Sequence, residues 1–345
     1  MKLSDAAHLV GKLHGIAGDL PNPHLLIGPF VRREAVLSSR IEGTQASLSD
    51  LVFFEASGES SAEVSDVREV ANYVHALEFG LKRLDKLPLS LRLMKEMHSR
   101  LMKGVRGETL TPGEFRRSQN WIGPPGCTLT DAVYVPPPVD EMKQSLDAFE
   151  KYLHASSNLP PLIRLALIHY QFEAIHPFLD GNGRVGRLLM TLILCSEGLL
   201  PQPLLYLSAY FERHRAEYYR HLLAVSQTGA WNAWIEFFLT GVAEQSQDAI
   251  QRTQKLLGLW KRYRERLRAV RSSPTMLELV EHLFSSPAIS VSQAASRLKV
   301  TYPSAQKAIE RLVEMNILKE ATGRLRNKVY VAREILRVAE AESVT

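Results

Sequence analysis

A run of twelve residues from His176 to Arg187, HPFLDGNGRVGR, concentrates side chains that can do chemistry. The imidazole of His176 can act as a general base near neutral pH. Asp180 supplies a carboxylate of the kind that binds Mg²⁺ together with phosphate oxygens. Arg184 and Arg187 carry guanidinium groups, whose planar forks match the geometry of phosphate oxygens. The run therefore predicts chemistry on a phosphate-bearing ligand.

Two glycines in this run point to the same kind of ligand. Gly181 and Gly183, on either side of Asn182, let the backbone take unusual dihedral angles and approach a ligand closely. A helix is predicted to follow at once, and its first turn presents free N–H groups and the positive end of the helix dipole. This arrangement suits phosphate. Phe178 has no such chemistry, and we expect it to anchor the loop in the core.

Apolar residues at helical spacing surround this run and predict the elements that position it. We predict helices at Leu89–Met102, Val139–Ser156, Pro160–Ile175, from the end of the run to Glu197, Ser208–Thr228 and Trp231–Ala269. The segment between the first two helices contains glycines, prolines and two β-like runs, at Ser118–Ile122 and Ala132–Val135. We expect it to form a small hairpin or an extended flap.

The N-terminal part also has helical patterning. We predict a helix from Arg32 to Ile41, which ends at Gly43, and another that begins near Ser65. Three prolines are expected to interrupt the earlier pattern, Pro21, Pro23 and Pro29.

The last part of the chain has a different order of elements. Helices are predicted at Met276–Phe284, Ser290–Leu298 and Tyr302–Met315, followed by two strands around a glycine-containing turn in ILKEATGRLRNKVYVA. Ser290 and Gln293 have the spacing of a capping box. Helix, helix–turn–helix and hairpin follow one another as in a winged helix, a generic fold that says little about function.

The run from His176 to Arg187 resembles the signature of the Fic (filamentation induced by cAMP) family, HxFx(D/E)GNGRxxR, at every specified position. The resemblance implies a mainly α fold, a Fic-type helical bundle with a small β-hairpin flap, to which this chain adds a C-terminal winged helix-turn-helix domain. It covers a core at roughly Leu89–Leu239 and an N-terminal Fic-associated region. It also implies protein adenylyltransferase activity, the transfer of AMP from ATP to a Ser, Thr or Tyr hydroxyl of a target protein and of the enzyme itself.

The resemblance further implies roles for individual residues. His176 would deprotonate the target hydroxyl, and Asp180 would coordinate Mg²⁺ between the α- and β-phosphates. The ATP phosphates would be bound by the anion-hole residues Gly181, Asn182 and Gly183, by Arg184 and Arg187, and by the intervening Val185 and Gly186. Tyr218 or Tyr219 could contact the base or ribose, with Tyr218 the preferred candidate. Flap residues Ile122 to Val135 would dock the target backbone.

A second motif lies upstream of this core. The residues from Ser38 to Gly43, SSRIEG, match the pattern (S/T)xxxE(G/N) of the inhibitory helix that many members of the family carry. By this resemblance Glu42 pairs with Arg187 and takes the place of the ATP γ-phosphate, so that ATP binds with its α-phosphate misaligned. A carboxylate that competes for a phosphate-binding arginine is chemically reasonable.

Other functions stay open at this point. The chain could be a DNA-binding transcriptional regulator, because its C-terminal domain carries basic side chains that could reach phosphates, namely Lys299, Lys307, Arg311, Arg324, Arg326 and Lys328. Winged helices also serve as protein-interaction modules. A Fic enzyme with a different donor is a third alternative, although Gly183 keeps the glycine that the kinase-like branch tends to replace with lysine. Removal of AMP from a modified protein and homodimer formation are further properties found in the family, and the sequence leaves both open.

The composition is that of a globular protein. The 345 residues, of which 45% are hydrophobic and 23% charged, can bury a large core. Two cysteines, Cys127 and Cys195, cannot form a disulfide framework, and no apolar run approaches the roughly 18 residues of a membrane span. Polar residues near the N-terminus argue against a signal peptide. We therefore expect a cytoplasmic protein without membrane contact.

Charge and element order together suggest four segments. The net charge is +5, and a basic cluster between Gln251 and Arg271 is read equally well as a solvated helix face or as a contact for an acidic partner or nucleic acid. We predict an N-terminal Fic-associated region with the inhibitory helix (1–88), a Fic catalytic core (89–240), a basic linker helix (241–272) and a winged helix-turn-helix domain (273–335).

Overall fold

The computed structural model describes residues 1–18, 23–58, 64–124, 126–270, 273–324 and 326–341. Within these ranges the chain is mainly helical, with one small antiparallel sheet near the C-terminus. The predicted mainly α fold is confirmed. The domain boundaries proposed from the sequence stay predictions.

The helices, in chain order, are α1 (Lys2–Gly18), α2 (Pro23–Ile41), α3 (Leu48–Ser57), α4 (Val64–Leu84), α5 (Leu91–Leu101), α6 (Val139–His154), α7 (Pro161–Ile175), α8 (Asn182–Ser196), α9 (Ser208–Arg213), α10 (Arg215–Thr228), α11 (Trp231–Ala269), α12 (Pro274–Ser285), α13 (Val291–Leu298), α14 (Tyr302–Glu314) and α15 (Arg333–Glu340). The strands are β1 (Ala288–Ser290), β2 (Lys319–Glu320) and β3 (Val329–Val331). Buried apolar side chains form one continuous core from α1 to α15. In the part of the chain that the structure describes, no helix has the length and apolar character that a membrane crossing needs.

Helices α7 and α8 meet at the motif loop, residues 176–181. Helix α7 has a proline in its first turn, where a missing N–H costs no helical hydrogen bond. Helix α8 is buried along nearly its whole length, because apolar residues follow its first turn on every face. The predicted helix at α7 is confirmed to within one residue, whereas α8 begins at Asn182, inside the run and five residues before its end, and finishes one residue before the predicted Glu197. A packed helix on each side therefore holds the motif loop in place.

Helix α2 carries the predicted inhibitory segment and is longer than the sequence suggests. It begins at Pro23, which agrees with the expected interruption there, and it continues through Pro29, so the expected interruption at Pro29 is wrong. Pro29 removes one N–H from the helical ladder, but α2 packs against α4, α9 and α12, and this packing offsets the loss. The helix ends at Ile41, so Glu42 lies in the turn that follows it. Pro21 lies outside the described residues.

The flap between α5 and α6 contains little β structure. Its two arms meet in an isolated antiparallel bridge between Ile122 and Tyr134. The Ile122 carbonyl accepts hydrogen bonds from the N–H groups of Val133 and Tyr134, at 2.8 and 3.1 Å. Apolar side chains stay exposed on the flap, namely Trp121, Leu129, Val133 and Val135. Of the two forms expected for this segment, the extended flap is the one present.

The C-terminal module, which the structure describes at residues 273–324 and 326–341, runs α12, β1, α13, α14, β2, β3 and α15. Strand β3 is central and pairs antiparallel with β1 and β2, with Val331 opposite both Ala288 and Lys319. The capping box of Ser290 and Gln293 is confirmed. The three predicted helices and two predicted strands follow one another in the predicted order, while β1 and α15 were not predicted. The assignment to the winged-helix class stays a prediction.

The basic side chains that were candidates for DNA contact lie at the surface of this module. Five of them are exposed, Lys299, Lys307, Arg311, Arg324 and Arg326. Lys328 pairs with Glu320 at 3.1 Å, so part of its charge is already neutralised within the module. Helix α14 also exposes two acidic residues, Glu310 and Glu314. Contact with DNA therefore stays a prediction.

The basic cluster of α11 is only partly a solvated face. The helix runs unbroken across the predicted boundary at 240/241. Arg252 is buried, and its guanidinium binds Asp248 and carbonyl oxygens at the end of α15. Arg266 donates a hydrogen bond to the Met315 carbonyl. These two arginines join α11 to the C-terminal module, while Arg271 lies outside the described residues.

The C-terminal module also packs directly on helix α2. Gly28 lies against the end of α12, where a Cβ atom would come within 2.0 Å of the Ser285 carbonyl oxygen. Arg32, one turn further along α2, donates a hydrogen bond to the same carbonyl at 2.8 Å and pairs with Glu55 at 2.6 Å. The C-terminal module therefore fixes the N-terminal half of the helix that leads to Glu42.

Two helical glycines allow a matched test of this contact. Gly28→Ala should lower the free energy of unfolding by about 1–3 kcal/mol, because the added methyl group forces α2 and α12 apart. Gly11→Ala in α1 has nothing within 4 Å of the new Cβ. It should raise the free energy of unfolding by about 0.5–1 kcal/mol, the usual gain for alanine over glycine in a helix. Chemical denaturation of the full chain measures both values, and equal effects would contradict the close contact.

Candidate active site

A cavity of about 680 Å³ opens beside the N-terminus of α8. We call it the α8 cavity. Outside the flap, its lining includes seven residues that the sequence singled out, Glu42, His176, Asp180, Gly183, Arg187, Tyr218 and Tyr219. Flap residues and helix α10 complete the wall. The volume lies within the range of ordinary small-molecule sites.

His176 ends α7 in a left-handed conformation, with φ of 48°. Its Nδ1–H donates a hydrogen bond to the Glu173 carbonyl at 3.3 Å, which leaves Nε2 as the unprotonated nitrogen. Burial lowers the pKa of His176 to about 4, although the nearby Glu42 carboxylate raises it. The imidazole is therefore neutral above about pH 4, as a general base at neutral pH must be.

Asp180 turns its carboxylate toward the α8 cavity. Its Oδ1 accepts a hydrogen bond from the Gly181 N–H at 2.6 Å, and its side chain stays partly exposed. His98, on α5, donates from Nε2 to the Asp180 carbonyl at 3.0 Å and accepts from the Gly113 N–H at 2.8 Å. In the described part of the chain, no group of three or more metal-binding side chains lies nearby or elsewhere. Three carboxyl groups line the α8 cavity, those of Glu42, Glu173 and Asp180, and the one in the motif loop, where the family resemblance expects a cation ligand, is Asp180.

The motif loop is closed by Asn182 and Phe178. The Asn182 side chain accepts a hydrogen bond from the Phe178 N–H and donates one to the Phe178 carbonyl, both at 2.8 Å. Phe178 is fully buried and stacks on His98 with ring centroids 3.9 Å apart. The prediction that Phe178 anchors the loop in the core is confirmed. Because the Asn182 side chain is used within the loop, only its backbone N–H is left for the anion hole that the family resemblance implies.

Two residues that the sequence analysis missed support the loop from the flap side. Arg116 is buried, and its Nε donates to the His176 carbonyl at 3.0 Å. Asn120 donates to the carbonyls of His176 and Phe178, at 3.3 and 2.9 Å. Their partners are backbone oxygens, which a sequence pattern does not reveal. The flap side thus fixes the backbone of His176, and flap residues also line the α8 cavity.

Arg187 is almost completely buried, at 1% side-chain exposure, and it donates hydrogen bonds to the end of α2 and to the turn that follows it. Its NH2 lies 2.6 Å from Glu42 Oε1, and Nε donates to the Ser38 hydroxyl at 2.7 Å. Burial alone would raise the pKa of Glu42, but the Arg187 guanidinium outweighs this and holds the pKa below its ordinary value. The pair that the family resemblance implied is therefore present as an ion pair.

Glu42 lies directly over the first turn of α8. A Cβ atom at Gly183 would come within 2.4 Å of Glu42 Oε1. The carboxylate therefore occupies the position where the N-terminal N–H groups of α8 would meet a phosphate. Any larger residue at Gly183 would displace it.

Arg184 points away from the α8 cavity. It is buried, and its NH1 donates to Glu69 Oε2 on α4 at 3.3 Å, while NH2 lies 3.7 Å from Asp180 Oδ1. Thr44 donates its hydroxyl hydrogen to the same Glu69 oxygen at 3.0 Å. In this conformation Arg184 is not among the residues that line the cavity.

Val185 and Gly186 also have their side-chain positions outside the cavity. Val185 is fully buried in the core. A Cβ atom at Gly186 would come within 2.4 Å of Glu173 Oε1, so this glycine makes room for a carboxyl group of α7. Glu173 lines the cavity, and burial raises its pKa to about 7. It lies three residues before His176, on a neighbouring position of the same helix face, a spacing that could have identified it.

The two candidate tyrosines on α10 have different positions. Tyr218 is 1% exposed, its hydroxyl lies 2.9 Å from His169 Nε2, and its ring stacks on Phe211. Tyr219 is 40% exposed and lines the same cavity. Core packing thus occupies Tyr218, the residue preferred from the sequence, and Tyr219 becomes the better candidate for contact with a base or ribose.

Family models match this chain over more than half of its length. The model for the Fic/DOC family N-terminal region matches residues 1–82, and the model for the Fic/DOC family matches residues 88–194. The second range contains the motif loop and most of α8. The chain is a Fic domain protein.

Curated relatives of this Fic domain protein carry the name "Protein adenylyltransferase Fic". The relative from Drosophila virilis is 33% identical over 173 residues, and that from Drosophila grimshawi is 32% identical over 173 residues. Each match covers 48% of this chain and 32% of the relative. The chain therefore spans about a third of the length of these relatives.

Solved structures share the fold. A Fic family protein from Desulfovibrio desulfuricans G20 gives a TM-score of 0.60 at 19% identity, and the match covers 96% of this chain and 95% of that one. Fic-1 from C. elegans gives a TM-score of 0.55 at 24% identity, over 75% of this chain and 72% of that one. The first match extends beyond the Fic domain, so the C-terminal module has a counterpart in a known fold.

NMR titration of the histidine side chains tests the electrostatics of this Fic domain. His176 should titrate near pH 4, and Glu42→Gln should lower its pKa further, because a negative charge that stabilises the imidazolium is lost. His98 serves as the internal control, since burial lowers its pKa to about 4 without a contribution from Glu42. A pKa of His176 near 6.5, or an equal shift in both histidines, would contradict the arrangement.

Proposed function

We propose that this Fic domain protein is an ATP-dependent protein adenylyltransferase that Glu42 holds in an inhibited state. The observation that carries the proposal is the convergence of a base, a carboxylate, a helix N-terminus and a buried arginine on one cavity. His176, Asp180, Gly183 and Arg187 all line it. The names of the curated relatives support the same reaction class.

The α8 cavity offers a complementary group for each part of ATP. The free N–H groups in the first turn of α8 and the Arg187 guanidinium suit the phosphates. Tyr219 and Leu222 on α10, with Ile122 of the flap, line the side that could take an aromatic base. Asp180 would hold Mg²⁺, which ordinarily binds through one or two carboxylates together with phosphate oxygens. When bound, the cation would neutralise charge on the phosphate oxygens.

The reaction needs one proton transfer from the protein target. His176 Nε2 accepts the proton of a Ser, Thr or Tyr hydroxyl as the oxygen attacks the α-phosphorus. The bond from this phosphorus to the bridging oxygen breaks, and pyrophosphate leaves. Arg116 and Asn120 hold the His176 backbone, so the base is fixed before the target arrives. The exposed flap, from Ile122 to Val135, would present an extended edge to the target backbone.

Inhibition follows from competition for one guanidinium. Glu42 Oε1 lies 2.6 Å from Arg187 NH2 and covers the first turn of α8. A γ-phosphate that seeks the same arginine must displace the carboxylate. With Glu42 in place, ATP can enter only with its phosphates shifted, and the α-phosphorus then faces away from His176.

The proposed function is tested with the full chain, Mg²⁺ and ATP labelled at either the α- or the γ-phosphate. Glu42→Gly should raise self-modification from α-labelled ATP by roughly 5- to 150-fold, the usual range for coupling between two competing groups. No label should enter from γ-labelled ATP. His176→Ala in this background should lower the rate by roughly 10²–10⁴-fold, and Arg187→Ala should cancel the gain.

Each alternative reaction has its own outcome in this assay. Incorporation of γ-label would indicate phosphoryl transfer, and loss of AMP from a premodified protein would indicate the reverse reaction. An unchanged rate in Glu42→Gly, with His176→Ala still inactive, would contradict inhibition by Glu42. If no variant incorporates label although a separate measurement shows that ATP binds to the protein, adenylyl transfer is contradicted.

A further inference from the structure

A buried carboxylate on α4 connects the segment after Glu42 to the motif helix. Glu69 Oε2 accepts a hydrogen bond from the Thr44 hydroxyl at 3.0 Å and one from Arg184 NH1 at 3.3 Å. Thr44, Glu69 and Arg184 are all buried, with no more than 2% exposure. Arg106 approaches the other oxygen of Glu69 at 3.8 Å from the surface. One carboxylate thus accepts hydrogen bonds from a hydroxyl of the N-terminal region and from a guanidinium of α8.

Thr44 lies two residues after Glu42, at the end of a tight turn. The N–H groups of Glu42 and Thr44 both donate to the Ser39 carbonyl, at 3.0 and 3.2 Å. Gly43, between them, has φ of 99°, in the left-handed region that glycine adopts without strain. The tight turn therefore couples the position of Glu42 closely to that of Thr44.

Helix α8 completes the connection. Arg184 and Arg187 are three residues apart, in the first two turns of the same helix. The first binds Glu69 and the second binds Glu42. The distance between Glu42 and Arg187 is thus fixed from both sides, by α2 before it and by the Thr44 anchor after it.

We infer that Thr44 and Glu69 are positioning residues that keep Glu42 on Arg187. The inference rests on the proposed function, in which Glu42 inhibits transfer. The hydrogen bond from Thr44 to Glu69 stabilises the inhibited conformation only, because release of Glu42 carries the turn away from α4. Its loss shifts the equilibrium toward the released conformation.

Thr44→Val isolates this bond, because it removes the hydroxyl, keeps the shape of the side chain and leaves the bond between Glu69 and Arg184 in place. A single hydrogen bond contributes about 0.5–1.5 kcal/mol, which corresponds to a rise in the rate of self-modification of roughly 2- to 12-fold. Thr44→Ser keeps the hydroxyl and should retain the low rate of the unmodified sequence.

The Glu42→Gly background tests whether Thr44 acts by positioning Glu42 or by stabilising the fold in general. There the inhibitory carboxylate is absent, so adding Thr44→Val should leave the rate within twofold of Glu42→Gly alone. A merely structural role would change the rate equally in both backgrounds. Equal fold-changes, or no change from Thr44→Val while Glu42→Gly is active, would overturn the inference.

Amide hydrogen exchange gives a readout that does not need activity. The peptide that spans residues 38–47 should exchange faster in Thr44→Val than in Thr44→Ser, while peptides of α11 stay unchanged. Equal exchange in the two variants would contradict the role of the Thr44–Glu69 hydrogen bond in holding this turn. If exchange differs between the variants but Glu42→Gly transfers no AMP, the proposed function is wrong while the role of this hydrogen bond is retained.

Discussion

The structure depends on the burial of one positive charge. A guanidinium removed from water costs several kcal/mol unless an anion and hydrogen-bond acceptors replace the lost hydration. At Arg187 these replacements are the Ser38 hydroxyl, the Ser38 carbonyl and the Glu42 carboxylate. All three come from the C-terminal end of α2 and the residue after it, so α2 must stay against α8 as long as this site holds no other anion. The position of a whole helix is therefore linked to what occupies a single arginine.

The other acids near Arg187 are arranged so that they do not compete with Glu42. Burial raises the pKa of Glu173 and of Glu34 to about 7, so both carry a proton for much of the time near neutral pH. Glu34 accepts hydrogen bonds from Tyr73 and Ser208 and is thereby held as a packed polar group on α2. Glu69 is committed to Arg184 and Thr44. One full negative charge faces Arg187, and it belongs to Glu42.

The sequence predicts most of what is local and little of what connects distant segments. The motif loop and its two helices are predicted well, because twelve consecutive residues carry both the chemistry and the turn signals. The hydrogen bond between His98 and the Asp180 carbonyl joins residues that are 82 apart. Because its acceptor is a backbone oxygen, no sequence pattern predicts it. Tyr218 and Tyr219 are adjacent, and only the rotation of α10 against the core decides which one is buried. At Pro29, packing overrides a local rule about helix breakers.

The contact between Gly28 and Ser285 bears on how such a chain can be assembled from parts. The C-terminal module looks like an addition to the Fic domain, yet the end of α12 rests on α2 where a Cβ atom would lie 2.0 Å from a carbonyl oxygen. Recombination that exchanged this module alone would have to reproduce that fit, or push aside the helix that leads to Glu42. The residue at position 28 and the end of α12 therefore constrain each other, although more than 200 residues separate them in the chain.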